Sequence, residues 1–262
     1  MLFQYVLAIL SGSVVGLLLG ATGGGGSLIA IPLLVYVVGV PVQKATALSL
    51  IVVGYSALFG AWQANRHGKV RGLAAVLFSS TGMVGAWLGA QGHQLVSGEV
   101  VLLLFGGLLC GISIWTFLKD RIEKPKRVAE DCARQFSLTC GLKALGIGFG
   151  VGLLTGFFGV GGGFLIVPAL LFVMGFPMQM AVGTSLLIIS LISLGGLIGH
   201  LNLAYIDILL TSLIIGGSLI GILMGTRMGK TYEEHLMQRA FASLAGATGL
   251  FLVIDNGLRV MG

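Results

Sequence analysis

GATGGGGSLIAIP, residues 20–32, and GFFGVGGGFLIVP, residues 156–168, are two versions of one element. Gly20 and Gly156, Gly23 and Gly159, and Pro32 and Pro168 each stand 136 residues apart. Glycine is the poorest helix former short of proline, about 1 kcal/mol worse than alanine at each helical position. The run Gly23, Gly24, Gly25, Gly26 therefore predicts a break after an apolar helix that ends near Gly20, with a short helix restarting near Ser27. In the second copy the short helix restarts near Gly163.

The offset of 136 extends well beyond this element. It pairs Gly12, Gly16 and Gly20 with Gly148, Gly152 and Gly156, and Gly39, Pro41 and Gln43 with Gly175, Pro177 and Gln179. Further along it pairs Ser49 with Ser185, Gly60 with Gly196, Gly85 with Gly221 and Gly89 with Gly225. A register held without insertion predicts two copies of one five-segment unit, 1–118 and 140–262, joined by a charged linker at 119–139.

The chain has 262 residues, of which 56% are hydrophobic and 9% charged, and a mean hydropathy of +1.04. Soluble domains carry roughly 25% charged residues, so this chain cannot cover a soluble surface. Apolar segments fall near 3–20, 28–39, 44–64, 72–91, 99–118, 140–157, 164–175, 180–199, 205–226 and 236–254. Most reach the ~20 residues that a hydrocarbon core of about 30 Å requires. The second and seventh, at about a dozen residues or roughly 18 Å, are too short to span alone. The expected fold is an all-α polytopic membrane protein of about ten helical segments, the second and seventh short and starting within the membrane.

Lysine and arginine set the expected orientation. If all ten segments cross, one side receives Arg66, Lys69 and Arg71, the basic residues from Lys119 to Lys143, and Arg227, Lys230 and Arg239. The other side receives only Lys44 and Arg259, a split of thirteen to two. Re-entrant short segments would give eleven to four, so ten crossings are favoured and both termini are predicted outside. Five crossings is an odd number, so the second repeat enters upside down relative to the first. Inverted repeats are an arrangement that secondary transporters use for alternating access, with substrate near the midplane.

The two short helices then begin inside the bilayer from opposite directions. A helix N-terminus offers unpaired backbone N–H groups and about half a positive charge, and glycine lets an oxyanion approach closely. Irregular backbone at membrane depth is tolerated where it is buried in protein or lines a polar cavity, and the sequence predicts such a cavity here. The candidate anion-binding residues are Thr22, Gly23, Gly24, Gly25, Gly26 and Ser27 in the first copy, with Gly159, Gly161, Gly162 and Gly163 in the second. Thr46, Ser49, Thr184 and Ser185 on the following long segments add hydroxyls. Glycines spaced every fourth residue read instead as helix-packing positions: Gly12, Gly16 and Gly20, Gly148, Gly152 and Gly156, Gly85 and Gly89, and Gly217, Gly221 and Gly225.

Polar residues at segment ends are candidate gates: Gln43, Asn65 and His67 in the first repeat, Gln179, His200 and Asn202 in the second. No carboxylate lies in the middle of a segment; Glu99, Asp207 and Asp255 sit at ends, which gives a carboxylate proton relay little support. Proton coupling through His200 or Asp207, sodium coupling through freed carbonyls, and uncoupled movement stay open. Neither glycine cluster reads G-x-G-x-x-G and no phosphate-binding loop motif is present, so nucleotide binding is not expected. No cofactor, metal site or nucleophile and base constellation is legible, and the chain does not read as an enzyme. Cys110, Cys132 and Cys140 read as ordinary thiols. The net charge of +6 belongs to membrane orientation rather than to nucleic acid. The first basic residue is Lys44, so a secretory signal peptide is not expected and the first segment reads as a span.

The paired G-x-x-G-x-G-G-x-x-x-x-x-P elements, filled by Gly20, Gly23, Gly25, Gly26 and Pro32 and by Gly156, Gly159, Gly161, Gly162 and Pro168, resemble the sulfite exporter TauE/SafE family. The likeness runs from about Leu7 to Leu252. It implies a multi-pass prokaryotic cell-membrane protein that exports sulfite, a sulfonate or a related small sulfur-containing anion. The first copy has Ala21 and Thr22 where the second has Phe157 and Phe158, so the two half-sites are unequal. The expected partners are the anion, the bilayer and a coupling proton or sodium ion; a homo-oligomer is compatible. An ion-coupled carrier of another organic acid and a membrane scaffold without transport are the alternatives.

Overall fold

A computed structural model describes residues 2–122, 138–172, 174–200, 207–231 and 234–261. Among these residues it is all helical, with ten helices in two sets of five and no strands. The first set is α1 (Leu2–Thr22), α2 (Gly26–Pro32, continued by a π-helical turn, Leu33–Val37), α3 (Val42–Arg66), α4 (Gly72–His93) and α5 (Gly98–Ile122). The second is α6 (Leu138–Phe158), α7 (Gly163–Phe172), α8 (Met178–His200), α9 (Ile208–Thr231) and α10 (Glu234–Met261). Six of them, α1, α3, α4, α6, α8 and α9, are long and apolar enough to cross a bilayer.

The short helices form and stop for local reasons that recur at the repeat offset. Each carries a proline, Pro32 or Pro168, which has no N–H to continue the hydrogen-bond ladder. Beyond it the bonding widens: Val38 N–H reaches the Leu33 carbonyl at 3.0 Å, and Met174 N–H reaches Ala169 at 3.3 Å. Both helices then end on a left-handed glycine, Gly39 (φ +79°) and Gly175 (φ +67°). The next N–H closes the turn, from Val40 to Leu34 at 2.9 Å and from Phe176 to Leu170 at 3.0 Å. Pro41 and Pro177 precede α3 and α8, where their missing N–H leaves nothing unpaired.

Helix packing follows the same exchange. The α1 helix lies along α9, and α6 lies along α4, each pair running parallel. Gly12, Gly16 and Gly20 press on the backbone of Ile214, Ser218 and Ile222, while Gly217, Gly221 and Gly225 press on Ile9, Ser13 and Leu17. One repeat away, Gly148, Gly152 and Gly156 press on Phe78, Gly82 and Ala86, and Gly85 and Gly89 press on Phe149 and Leu153. Thr81 stands where Gly217 has its counterpart, and its hydroxyl donates to the Leu145 carbonyl at 2.7 Å. A side chain at these glycines would overlap backbone, so the every-fourth-residue glycines serve close helix contact, as their spacing predicts.

The α3 and α8 helices form the centre, with two thirds of their spanning windows buried against half or less for the other four spans. They run antiparallel: Gly54 faces Ser193, and Gly183 faces Ala64 and Lys69. The α5 and α10 helices are antiparallel too, with Gly106 against Leu252 and Gly246 against Ser113. Cysteines are not all free thiols as read: Cys140 is disulfide-bonded, while Cys110 is free.

Candidate functional site

The two glycine breaks meet. A Cβ on Gly163 would lie 2.6 Å from the Gly24 Cα, and one on Gly24 would lie 2.8 Å from the Gly163 Cα. The meeting point is near mid-length of the central pair, because Gly161 touches Val53 of α3 and Gly163 touches Ile189 of α8. Short helices starting from opposite breaks thus bring their first turns together, and only glycine permits the approach at Gly24 and Gly163.

Each break is clamped by the opposite repeat. Ser185 on α8 donates to the Gly23 carbonyl at 2.8 Å, and Ser49 on α3 donates to the Gly159 carbonyl in the equivalent place. Both loop glycines are left-handed, Gly23 at φ +76° and Gly159 at φ +70°, and each abuts the long central helix of the opposite repeat, at Val182 of α8 and at Thr46 of α3. The hydroxyls expected to face an anion are committed elsewhere. Ser27 donates to Gly24, Thr22 to Leu18 and Thr46 to Val42, at 2.7, 2.8 and 2.9 Å. Thr184 accepts from the Arg71 N–H at 3.1 Å and so ties the α3–α4 turn to α8.

The expected polar cavity is not what holds this irregular backbone in place. Gly23 to Gly26 and Gly159 to Gly163 are all buried, packed against Val182, Thr46, Val53, Ile189, Thr155 and each other. The backbone carbonyls that a cavity would have hydrated are satisfied instead by Ser49 and Ser185, so the crossing is closed. Gly26 lies against Val15 and Leu19 of α1, which makes it a packing glycine.

The two breaks differ in their N–H groups. Gly23 N–H bonds the Leu19 carbonyl at 2.8 Å and its counterpart Gly159 N–H bonds Thr155 at 2.7 Å, but in the first break Gly25 N–H also bonds the Thr22 hydroxyl at 2.7 Å and Ser27 N–H the Gly24 carbonyl at 3.2 Å. In the second, Phe158 occupies the position of Thr22 and has no hydroxyl to give. Among the described residues nothing accepts from the consecutive N–H groups of Val160, Gly161, Gly162 and Gly163. The φ sign alternates from Gly159 (+70°) through Val160 to Gly161 (+70°), since no non-glycine residue has positive φ, and stays positive at Gly162 (+63°). Successive N–H groups in such alternation form a concave anion-binding nest.

Sequence reasoning missed a residue at this point. Ser193 of α8 is 2% exposed, its Oγ has no partner, and it lies 3.5 Å from where a Cβ of Gly161 would be. Its counterpart one repeat earlier is Ala57, so a signal existed: a polar residue that breaks the repeat inside an apolar segment.

The candidate gates scatter. Gln43 and Gln179 are exposed at the starts of α3 and α8, and Gln43 lines a pocket with Tyr36, Ser97, Glu99 and Asn256. Asn65 and His67 are exposed in the α3–α4 turn, where Asn65 accepts from Gly68 N–H at 2.9 Å and His67 Nδ1 bonds the Gln63 carbonyl at 2.9 Å. His200 is fully buried at the end of α8 rather than open at a mouth. Asn202 lies outside the described residues.

A family model, sulfite exporter TauE/SafE, matches residues 8–252. A probable membrane transporter protein of Xylella fastidiosa is 36% identical over 260 residues, covering 95% of this chain and 94% of that protein. The probable membrane transporter protein YdhB of Bacillus subtilis is 25% identical over 95% of this chain and 100% of its own length. One from Methanocaldococcus jannaschii is 26% identical over 95% of each chain. No solved structure matches. With two glycine breaks meeting between long apolar helices and a family match over nearly its whole length, the chain is a multi-pass membrane transporter protein belonging to the sulfite exporter TauE/SafE family.

Proposed function

We propose that this chain exports small sulfur-containing oxyanions, sulfite or a sulfonate, across the cell membrane by alternating access between two inverted five-helix repeats. The observation that carries the anion is the run of four unpaired N–H groups from Val160 to Gly163, with the unpartnered Ser193 hydroxyl beside them. Buried donors without acceptors are costly, each by ~1–3 kcal/mol, and an oxyanion satisfies several at once. No cationic side chain is needed for this. Sulfate-like and sulfonate groups offer three or more oxygens to the nest, whereas a halide offers one centre.

Inversion is supported by the antiparallel run of α3 with α8 and of α5 with α10. Exchanging the repeats swaps the α1–α9 pair for the α6–α4 pair, so a structure closed at its centre has two ways to open, related by that exchange. The lysine and arginine split supports a membrane orientation with both termini outside. In this cycle the Ser49 and Ser185 clamps release in alternation, each freeing the break of the opposite repeat.

Purified protein in liposomes tests the reading, with uptake of labelled sulfite, sulfoacetate, sulfate and acetate compared under imposed sodium and proton gradients. Uptake of sulfite or sulfoacetate well above acetate is expected. Preference for acetate points to another organic acid, and no uptake of any anion removes the transport reading in favour of a scaffold.

A further inference from the structure

Four buried side-chain polar atoms among the described residues have no hydrogen-bond partner: Ser79 Oγ, His93 Nε2, Ser193 Oγ and His200 Nε2. All four lie on α4 and α8, which pack in parallel along Gly82, Gly195 and Gly199. Ser193 and His200 are seven residues apart on α8, and Ser79 and His93 fourteen apart on α4, spacings that return to one face of a helix. The repeat equivalents of the four are Ile215, Gly229, Ala57 and Ala64, none with a polar side chain. One half of the molecule therefore has a seam of unpartnered polar atoms, whereas across the α3–α9 face of the other half Ser56 bonds Ser218 at 2.6 Å and Thr226 bonds Gln63 at 3.3 Å.

At the end of this seam the two imidazoles face each other, with ring centroids 5.2 Å apart. His93 is 1% exposed and His200 0%. His93 Nδ1 bonds the Phe157 carbonyl at 2.8 Å and His200 Nδ1 bonds the Gly196 carbonyl at 2.9 Å. A carbonyl only accepts, so both Nδ1 atoms carry hydrogen, and in the neutral rings both Nε2 atoms present bare lone pairs. Two buried lone pairs on adjacent rings are thus left without a donor.

We propose that His93 and His200 form a binding site for one proton, taken up on the unpartnered Nε2 of either ring. The proton binds one Nε2 lone pair, and the other ring, 5.2 Å away between centroids, stays neutral. A second proton is excluded, because it would place like charges side by side in a poorly solvated space. Phe157 of α6 packs edge-on against His93, with ring centroids 6.3 Å apart, and Ala90 of α4 and Leu50 of α3 lie against the neighbouring Gly199 and Gly196; none of them is ionisable. Gln94 donates to the Gly199 carbonyl at 3.1 Å, and Asp207 is exposed and caps α9 through the Leu210 N–H at 3.1 Å.

Resting on the transport reading above, this site has a consequence for coupling. His200 stands two helical turns, roughly 10 Å, beyond Ser193 on the same face of α8. An anion in the nest and a proton on the pair attract through protein rather than water, so each favours the binding of the other. The pair joins one helix of each repeat, α4 and α8, so it opens to one membrane face and then the other as the repeats exchange access, and the anion moves with that proton.

Two measurements decide this. In protein labelled with 15N in the histidine rings and held in lipid nanodiscs, the Nε2 signals of His93 and His200 are followed from roughly pH 5 to 9, the range in which histidine ordinarily titrates. Both signals should move together with uptake of a single proton, and His200→Gln should shift the titration of His93. Nε2 signals that stay at the neutral position throughout, or two rings that each charge fully and independently, overturn the site. In liposomes containing a pH-sensitive dye, labelled methanesulfonate, which stays ionised over this range, should enter with protons in the wild type. In His93→Gln and His200→Gln, methanesulfonate exchange should persist while proton movement falls to background. Methanesulfonate entry without protons in the wild type overturns the coupling. Absence of all anion movement removes the transport reading, and the ring signals then still decide whether the pair binds a proton.

Discussion

The meeting of the two glycine breaks predicts a specific non-additivity between Gly24→Ala and Gly163→Ala. A methyl on Gly24 is aimed at the backbone of Gly163, at 2.8 Å from its Cα, and no side-chain rotation relieves it. A methyl on Gly163 is aimed at Gly24, at 2.6 Å from its Cα, and at Ile189 Cδ1, 2.5 Å away, where the flexible end of a side chain can yield. Neither glycine has positive φ, so the penalty is overpacking, about 1–3 kcal/mol for each replacement, less the ~0.4–1 kcal/mol gained by stiffening the unfolded chain. Gly24→Ala should be the worse of the two. Once one methyl has pushed the breaks apart, the second finds the space already made. The double variant should therefore lose less than the sum, by an interaction of about 0.5–3 kcal/mol, as neighbours do. Unfolding in mixed micelles by increasing fractions of denaturing detergent, followed by tryptophan fluorescence, gives the four free energies of the cycle. Gly39→Ala is the control: its φ of +79° costs strain of about 1–2 kcal/mol, but nothing lies within 4 Å of the added methyl. Losses for Gly24 and Gly163 that add within about 0.5 kcal/mol, as for distant sites, would show that the breaks do not touch and would refute the crossing.

Ser193→Ala should leave stability near wild type, since its hydroxyl has no partner to lose, while weakening anion binding. Loss of one hydrogen bond to a charged ligand, about 1.5–3 kcal/mol, corresponds to roughly tenfold or more in Kd for sulfite or sulfoacetate, read by competition in the uptake assay. Ser49→Ala and Ser185→Ala should each destabilise by ~1–3 kcal/mol, because each leaves a buried glycine carbonyl unsatisfied, and the two losses should match in detergent unfolding. Cysteine introduced at Lys44 should react with a membrane-impermeant maleimide added outside intact cells, and cysteine at Lys69 only after permeabilisation; the reverse labelling would invert the proposed orientation.

The breaks, the repeat and the packing glycines were legible because each leaves a mark in residue type. Four glycines in a row cannot belong to a helix face, and Gly12, Gly16 and Gly20 report a close partner without saying which. The partner is α9, nearly two hundred residues away, and no pattern within α1 specifies it. Hydroxyl direction was not legible either. Ser49 and Ser185 were expected to donate to an anion, but a serine near an opposed loop carbonyl satisfies that carbonyl first when no ligand competes. His93 passed unnoticed as an end-of-segment histidine, because its burial depends on α8 placing His200 beside it. In each case the chain shows what a residue can do locally, and the packing of the other repeat decides which option is taken.

Departures from the repeat carry more information about mechanism than the repeat itself. Two identical halves related by a two-fold exchange would present the same site to both faces of the membrane, with nothing to set a direction. Here Thr22 fills the Gly25 N–H of the first break, whereas Phe158 leaves the Gly161 N–H of the second without an acceptor. Ser193 and His200 stand where the first repeat has Ala57 and Ala64. Replacing Thr22 with Val keeps the shape and removes the hydroxyl that occupies the first break. That change should cost about 1 kcal/mol of stability and expose the Gly25 N–H, making the first break more like the second. If the second break is the anion seat because its N–H groups are free, Thr22→Val should also slow net export by creating a competing seat in the first repeat, while leaving exchange across a single face intact. A variant that transports as the wild type does, despite the measured loss of stability, would place the asymmetry of the cycle somewhere other than in the unequal N–H groups of the two breaks.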